Sequence, residues 1–291
     1  MKKAFIFISL VFMSNVFAQT IDRFSIDSGG ASTAAGNISI LYTIGEVQVA
    51  ERSTATLSVS EGFIVPQLIR IRIHPIVFLQ GAYTNPNIGE ELLMRDDLRI
   101  ASSILIPTTS PYDSTTCDPS VFTTTGANAI VDWIVIELRD ENDVSNVLVS
   151  QSALLQRDGD IVATDGTSPV AINRASGNYY VAIRHRNHLG ILTASTVSLS
   201  ETVTNLDLST DINAVTGGAL ALRDMGNGIF AMYAGDVNAD GSILNTDIAS
   251  ALSVSGGINV YSGADGNMDG NILNTDIALI IQPNAGRIQQ F

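Results

Sequence analysis

The sequence predicts a mainly β chain that closes with a segment of a different kind, and three observations predict it. Up to about residue 232 the chain is rich in Val, Ile, Thr and Ser and is broken at short intervals by Gly, Asn and Asp, the pattern of short strands and turns. Charge is sparse, at 15% of residues against 45% hydrophobic. The C-terminal segment departs from this: residues 236–249 read DVNADGSILNTDIA and residues 265–278 read DGNMDGNILNTDIA, a tandem repeat with eleven of fourteen aligned positions identical.

At the other end, residues 1–18 carry Lys2 and Lys3, the apolar run AFIFISLVFM and then Val16-Phe17-Ala18 ahead of Gln19. This reads as a secretory signal peptide cleaved after Ala18, with an apolar core too short for a membrane span. Gln19 stands where a lipid anchor needs Cys. The expected location is therefore extracellular, with attachment to the cell surface left open. Cleavage removes both lysines of the sequence and moves the formal charge from −14 to −16. So acidic a chain is a poor partner for nucleic acid or an anionic membrane, where affinity comes largely from neutralising phosphates. Cys117 is the only cysteine, so no intrachain disulfide forms despite the oxidising route, and it reads as a small buried residue.

Residues 19–73 form short alternating runs, ISILYTIGEVQVA and TATLSVSEGFIVPQLIRI. So short a β unit buries little core alone and is expected to pack on its neighbour or pair strands with it. Its segments YTIGEVQ and SEGFIVPQ resemble a short repeat module of exported Bacteroidetes proteins. Residues 74–233 carry better defined strands: HPIVFLQGAY, AIVDWIVIELRD, ALLQRDGDIVA, GNYYVAIRHRNH and GILTASTVSLS. Trp133 and Val135 take one strand face while Ile134, Ile136 and Leu138 take the other, so both faces should be covered, as in an immunoglobulin-like or transthyretin-like β-sandwich. Arg157-Asp158-Gly159-Asp160 reads as a hairpin turn with Gly159 at positive φ. The stretch ELLMRDDLRIASSIL fits a short amphipathic helix or a strand and loop equally well. The order FLQGAY, IPTTSPY, VDWIVIELRD, LLQRDGDIV, DGTSPV, GNYYVAIRHRNHLG and MYAGDVNADG resembles the C-terminal region of secreted Bacteroidetes surface proteins termed hemagglutinin-like, and implies no transferable mechanism.

Residues 234–291 are expected to form a separate module. Each repeat places acidic or amide side chains at positions 1, 3, 5 and 12 of a twelve-residue loop with Gly at position 6, the spacing by which an EF-hand loop wraps Ca²⁺. The first copy supplies Asp236, Asn238, Asp240 and Asp247, with a backbone carbonyl from Ser242; the second supplies Asp265, Asn267, Asp269 and Asp276, with the carbonyl of Asn271. Ca²⁺ takes six to eight oxygens at roughly 2.3–2.6 Å, which side chains two apart in a tight loop can direct to one centre. Two Ca²⁺ sites are the expectation; ordinary Asn-, Asp- and Gly-rich surface turns are the alternative. Ile243 and Ile272 at position 8 are expected to pack one loop against the other.

Asp at position 12, with a helix only after the loop, resembles the type I dockerin. The resemblance covers residues 234–288 through GDVNADGSILNTDIASAL and DGNMDGNILNTDIALII. It implies a duplicated loop-helix with antiparallel helices and a cohesin-like partner facing Asn245, Thr246, Asn274 and Thr275. The chain departs from the pattern at position 9, where Leu244 and Leu273 replace a polar ligand, leaving that coordination position to water.

Outside the loops, functional groups concentrate at Arg184-His185-Arg186-Asn187-His188. His185 and His188 with Asp132 or Glu137 would make a metal- or sugar-binding edge; alternatively the cluster is a strand end that caps carbonyls and pairs with surplus acids. GxSxG, HExxH and GxxxxGK[ST] are absent, and Glu137, Asp140 and Glu141 are the carboxylates a glycosidase would need. The reading is a secreted, non-catalytic, calcium-binding modular protein, structural or adhesive at a cell surface, with docking into an extracellular polysaccharide-degrading assembly as the alternative.

Overall fold

The computed structural model describes the backbone of four short strands within residues 29–61 and all of residues 70–291; the signal-peptide expectation lies outside them. The chain divides into two units, Met1–Gln67 and Leu68–Phe291. In the first unit β1 (Gly29–Ala35) pairs antiparallel with β2 (Ile38–Ile44), and β3 (Ala50–Ser53) with β4 (Ser58–Glu61).

The second unit is mainly β. Its strands are β5 (Ile71–Ile76), β6 (Phe78–Leu79), β7 (Ile130–Arg139), β8 (Val147–Gln156), β9 (Ile161–Val162), β10 (Val170–Ile172), β11 (Gly177–His185), β12 (His188–Leu192), β13 (Val197–Leu199), β14 (Val203–Asp207), β15 (Leu222–Asp224) and β16 (Phe230–Met232). The largest sheet runs β12-β11-β7-β8-β9, with β13 also on β11; two three-stranded sheets run β10-β5-β14 and β15-β16-β6. All ten residues of β7 are buried, so both of its faces are covered, as its two-sided apolar pattern predicts. Trp133 on one face is fully buried, and its indole N–H donates to the Pro107 carbonyl at 2.7 Å. Pro75, which cannot donate to a ladder, lies beyond Ile73, where β10 stops pairing with β5.

Gly159 turns β8 into β9 at φ 93°. A Cβ there would sit 2.7 Å from the Phe78 ring and 2.9 Å from the Val77 carbonyl oxygen, so the turn is both left-handed and tightly seated. Gly159→Ala is expected to lower stability by about 1–3 kcal/mol, read from the urea midpoint at unchanged slope.

Among the described residues the α-helices are four and short: α1 (Gln80–Tyr83), α2 (Asp97–Ile100), α3 (Asn245–Ser253) and α4 (Gln282–Asn284). Within ELLMRDDLRIASSIL only the four residues of α2 are helical, because upstream N–H groups have tertiary partners: Met94 donates to the Arg157 carbonyl and Arg95 to that of Ala82. The expectation of a C-terminal α-helical module of duplicated loop-helices is corrected. The first repeat leads into nine residues of α3, but the second leads into a π-helical segment, Asp276–Ile281, and then one turn of α4. Pro283 supplies the reason: it has no N–H, and its ring crowds the Leu279 carbonyl, so a regular i to i−4 ladder cannot continue through it.

Candidate functional site

The two loops trace the same path. Position 4 is left-handed in both, Ala239 at φ 56° and Met268 at 61°, and so is position 6, Gly241 at 85° and Gly270 at 83°. The N–H pattern is repeated as well. Asp236 accepts from the N–H groups of Asp240 and Gly241, each at 3.0 Å, and Asp265 from those of Asp269 and Gly270 at 3.1 and 2.8 Å. At position 12, Asp247 accepts from Val237 and Leu244 at 2.9 and 2.8 Å, and Asp276 from Asn267 and Leu273 at 3.0 and 2.8 Å. These bonds draw the first and last carboxylates of each loop inward, and all four are at most 4% exposed.

The remaining donors lie at the rim. Asn238 and Asp240 are exposed and bonded to each other at 2.8 Å, as are the half-buried Asn267 and Asp269 at 2.9 Å. Ser242 and Asn271 at position 7 are half-buried and donate their N–H to the position 5 carboxylates. No three His, Cys, Asp or Glu side chains among the described residues converge at metal-binding spacing. The backbone path, the oxygen donor types and the buried carboxylates nevertheless fit a hard cation. Burial, together with Asp247 and Asp240 nearby, raises the Asp236 carboxyl to about 6 despite its N–H partners. Burial raises Asp265 further, to about 7, although Arg186 and the Gly270 N–H pull it down. A desolvated carboxylate with further carboxylates beside it is stabilised in its charged form by a cation.

Position 8 packs as expected: Ile243 and Ile272 share one small core with Leu189, Tyr233, Ala251, Ile277 and Ile281. Ile243 exchanges hydrogen bonds with Gly286 and Arg287, and Ile272 with Gly256 and Gly257, so each loop is tied to the chain that follows the other helical segment.

The surroundings break the symmetry. Ala239 of the first loop is exposed, whereas Met268 at the same position of the second is buried in the main sandwich core. The second loop is also held by polar contacts from the sandwich. Arg95 donates to the Asn267 carbonyl at 2.6 Å, Arg186 to the Ser262 carbonyl, and the Asn187 amide to the Asp265 carbonyl at 2.7 Å. Tyr261 donates to Asp132 at 2.6 Å, and its ring lies 4.3 Å beneath the Arg186 guanidinium. Asn284 donates to Gln80 at 2.8 Å and to the Ala234 carbonyl at 2.7 Å.

The RHRNH cluster forms the centre of this seat. The N–H of Gly81 donates to His188 Nε2 at 3.1 Å, which leaves the proton of a neutral His188 on Nδ1. That Nδ1 faces Asn187 Oδ1 at 2.8 Å and His185 Nδ1 at 3.0 Å. His185 Nδ1 is therefore an acceptor, and His185 Nε2–H donates to Asp132 at 3.1 Å. Burial lowers the affinity of both imidazoles for a second proton; for His188 the neighbouring His185 and Arg186 add to it. Burial pushes Asp132 up, but Arg186 at 2.9 Å and His185 outweigh it and hold the carboxyl at about 2. Both histidines and Asp132 are buried, and their polar atoms are taken up by one another and by neighbouring groups, so these three do not form an open metal-binding edge. Gln80, Arg95 and Tyr261, distant in sequence, are the partners that residue pattern did not single out.

No family model matches the chain, and no curated protein matches it. Among solved structures it is similar to a C-terminal interface mutant of a type II cohesin–X–dockerin complex from Acetivibrio cellulolyticus, at 18% identity and TM-score 0.36 over 75% of this chain and 96% of that one. An N-terminal interface mutant of the same complex gives 19% identity and TM-score 0.34 over 76% and 96%. The type I dockerin and hemagglutinin-like resemblances are corrected: the chain is mainly β, and the second repeat lacks a regular helix.

Proposed function

We propose that this chain is a secreted, non-catalytic docking component of an extracellular assembly, in which two Ca²⁺ ions order the C-terminal loops on a rigid β base. That base is read as an immunoglobulin-like or transthyretin-like sandwich. The observation that carries the calcium reading is the repeated loop path with its buried carboxylates, preserved although one loop is open and the other packed. Asp236, Asn238, Asp240, Asp247 and the Ser242 carbonyl would hold one ion; Asp265, Asn267, Asp269, Asp276 and the Asn271 carbonyl would hold the other. Bound Ca²⁺ supplies the positive charge that three neighbouring carboxylates per loop otherwise lack.

Docking is supported by a duplicated exposed triplet, Leu244-Asn245-Thr246 and Leu273-Asn274-Thr275, standing on the two loops. It offers a partner the same apolar and amide chemistry twice. The non-catalytic reading is supported by the acids that chemistry would use: Glu137 is bound by Arg139 at 2.5 Å, and Asp140 accepts the Asn142 N–H at 2.8 Å in a turn. A structural or adhesive role is the second reading, favoured by the single compact unit that the sandwich and loops form. Capture of an extracellular partner by the full chain, repeated with Asn245, Thr246, Asn274 and Thr275 changed to Ala, separates the two. Docking predicts retention that drops at least about tenfold in the variant, since four interface side chains are truncated; equal retention leaves the structural role.

A further inference from the structure

The notable feature of the large sheet outside the loops is an ion pair that does not close. On the face opposite Asp132, Glu137 and Arg184 project from neighbouring strands β7 and β11, where Arg184 pairs with Val135 and Ala182 with Glu137. Glu137 Oε2 is taken by Arg139, yet its Oε1 stands 3.7 Å from Arg184 Nε, wider than a hydrogen bond. A spacing of this size between a strong donor and a strong acceptor suits one oxygen that bonds to both. The pair opens onto a cavity of about 280 Å³, further lined by Ser150 of β8, Gln289 of the C-terminal segment, and Asp236 and Ala239 of the first loop. The Phe291 ring centroid lies 5.9 Å from the Arg184 guanidinium carbon and 4.7 Å from that of Arg139.

The chemistry selects the ligand class. The lining guanidiniums of Arg184 and Arg186 are balanced by Glu137 and Asp236, so the cavity does not favour a charged ligand. Its polar groups form a mixed set: guanidinium and amide donors, a carboxylate acceptor, and the Ser150 hydroxyl, which is both. Pockets for drug-sized molecules start near roughly 300 Å³, so this one holds a single ring and not an oligomer. We infer that the cavity between β7, β8, β11 and the first loop is a subsite for a neutral monosaccharide unit, one hydroxyl of which bridges Glu137 and Arg184. This goes beyond docking through the Leu-Asn-Thr triplets, which lie elsewhere on the chain; it shares Asp236 with the first loop, while its bridge rests on Glu137 and Arg184.

The test is saturation-transfer NMR followed by calorimetry on the full chain with the methyl glycosides of glucose, galactose and mannose. Arg184→Ala removes the bridging donor, and Ser150→Trp fills the cavity from an exposed position. Transfer to at least one glycoside, weakened about tenfold or more by Arg184→Ala and abolished by Ser150→Trp, is the expected result. Absence of transfer from all three, or transfer that both variants leave intact, overturns the assignment. Melting curves confirm folding; should Arg184→Ala fail to fold, Ser150→Trp decides alone. A negative result leaves the calcium titration of the second loop untouched, because none of its residues lines the cavity.

Discussion

Asp132→Ala is expected to lower the stability of the chain by about 3–5 kcal/mol, the cost of stripping a buried cation of its counter-charge. Asp132 accepts from four groups: the Trp133 N–H at 2.7 Å, Tyr261 at 2.6 Å, Arg186 at 2.9 Å and His185 at 3.1 Å. Its removal leaves Arg186 charged and buried, and takes away the acceptor of the His185 Nε2–H. Denaturant unfolding should show the loss, and its pH dependence identifies the cause. The folded-state pKa of Asp132 lies below its unfolded value of 3.8, so its contribution is present above that pH and fades as pH falls toward about 2. The gap between wild type and variant should therefore narrow across that window. The imidazoles act earlier. Their folded pKa values lie below 6.5, so their neutral burial favours folding above that pH, and wild-type stability should begin to fall as pH drops below it. His185→Ala should lower stability at neutral pH while leaving calcium and partner binding intact.

Chelation of divalent cations is expected to produce the other large change. At a hundredfold excess over Kd each ion adds about 2.7 kcal/mol, which corresponds to a fall in Tm of about 5–10 °C per site for a unit of this size. Calorimetric titration of the chelator-stripped chain should show two binding events. Asp247→Ala should remove one and Asp276→Ala the other. The two variants should differ in their effect on Tm. Asp276 closes the loop that inserts Met268 into the sandwich core, whereas the first loop presents Ala239 to solvent. Asp276→Ala should thus unsettle the sandwich as well as the loop. An absence of heat with an unchanged Tm would leave the loops as ordinary turns.

The strands of the sandwich were legible because their side chains alternate over a period that packing cannot disguise. Residues 130–139 read as a strand covered on both faces, and all ten are buried. The left-handed glycine of the β8 to β9 turn was legible for a related reason: an Asp-Gly pair between apolar runs has few other uses. Regular helices after both loops were not to be had from the repeat alone. The copies are nearly identical through the loop, and the divergence that matters is Pro283, whose effect falls on a carbonyl four residues earlier.

By itself the sequence determined the mainly β character and the position of the two loops, since these are properties of local pattern and spacing. Only the tertiary structure decided that the RHRNH cluster is a buried seat and that the second loop, not the first, is built into the core. It also decided that Glu137 faces Arg184 across an open gap. Each of these depends on residues brought together from distant stretches, such as Asp132 with Tyr261 or Gln80 with Asn284. The free energy of such a contact arises from mutual desolvation on folding, which no single segment experiences alone.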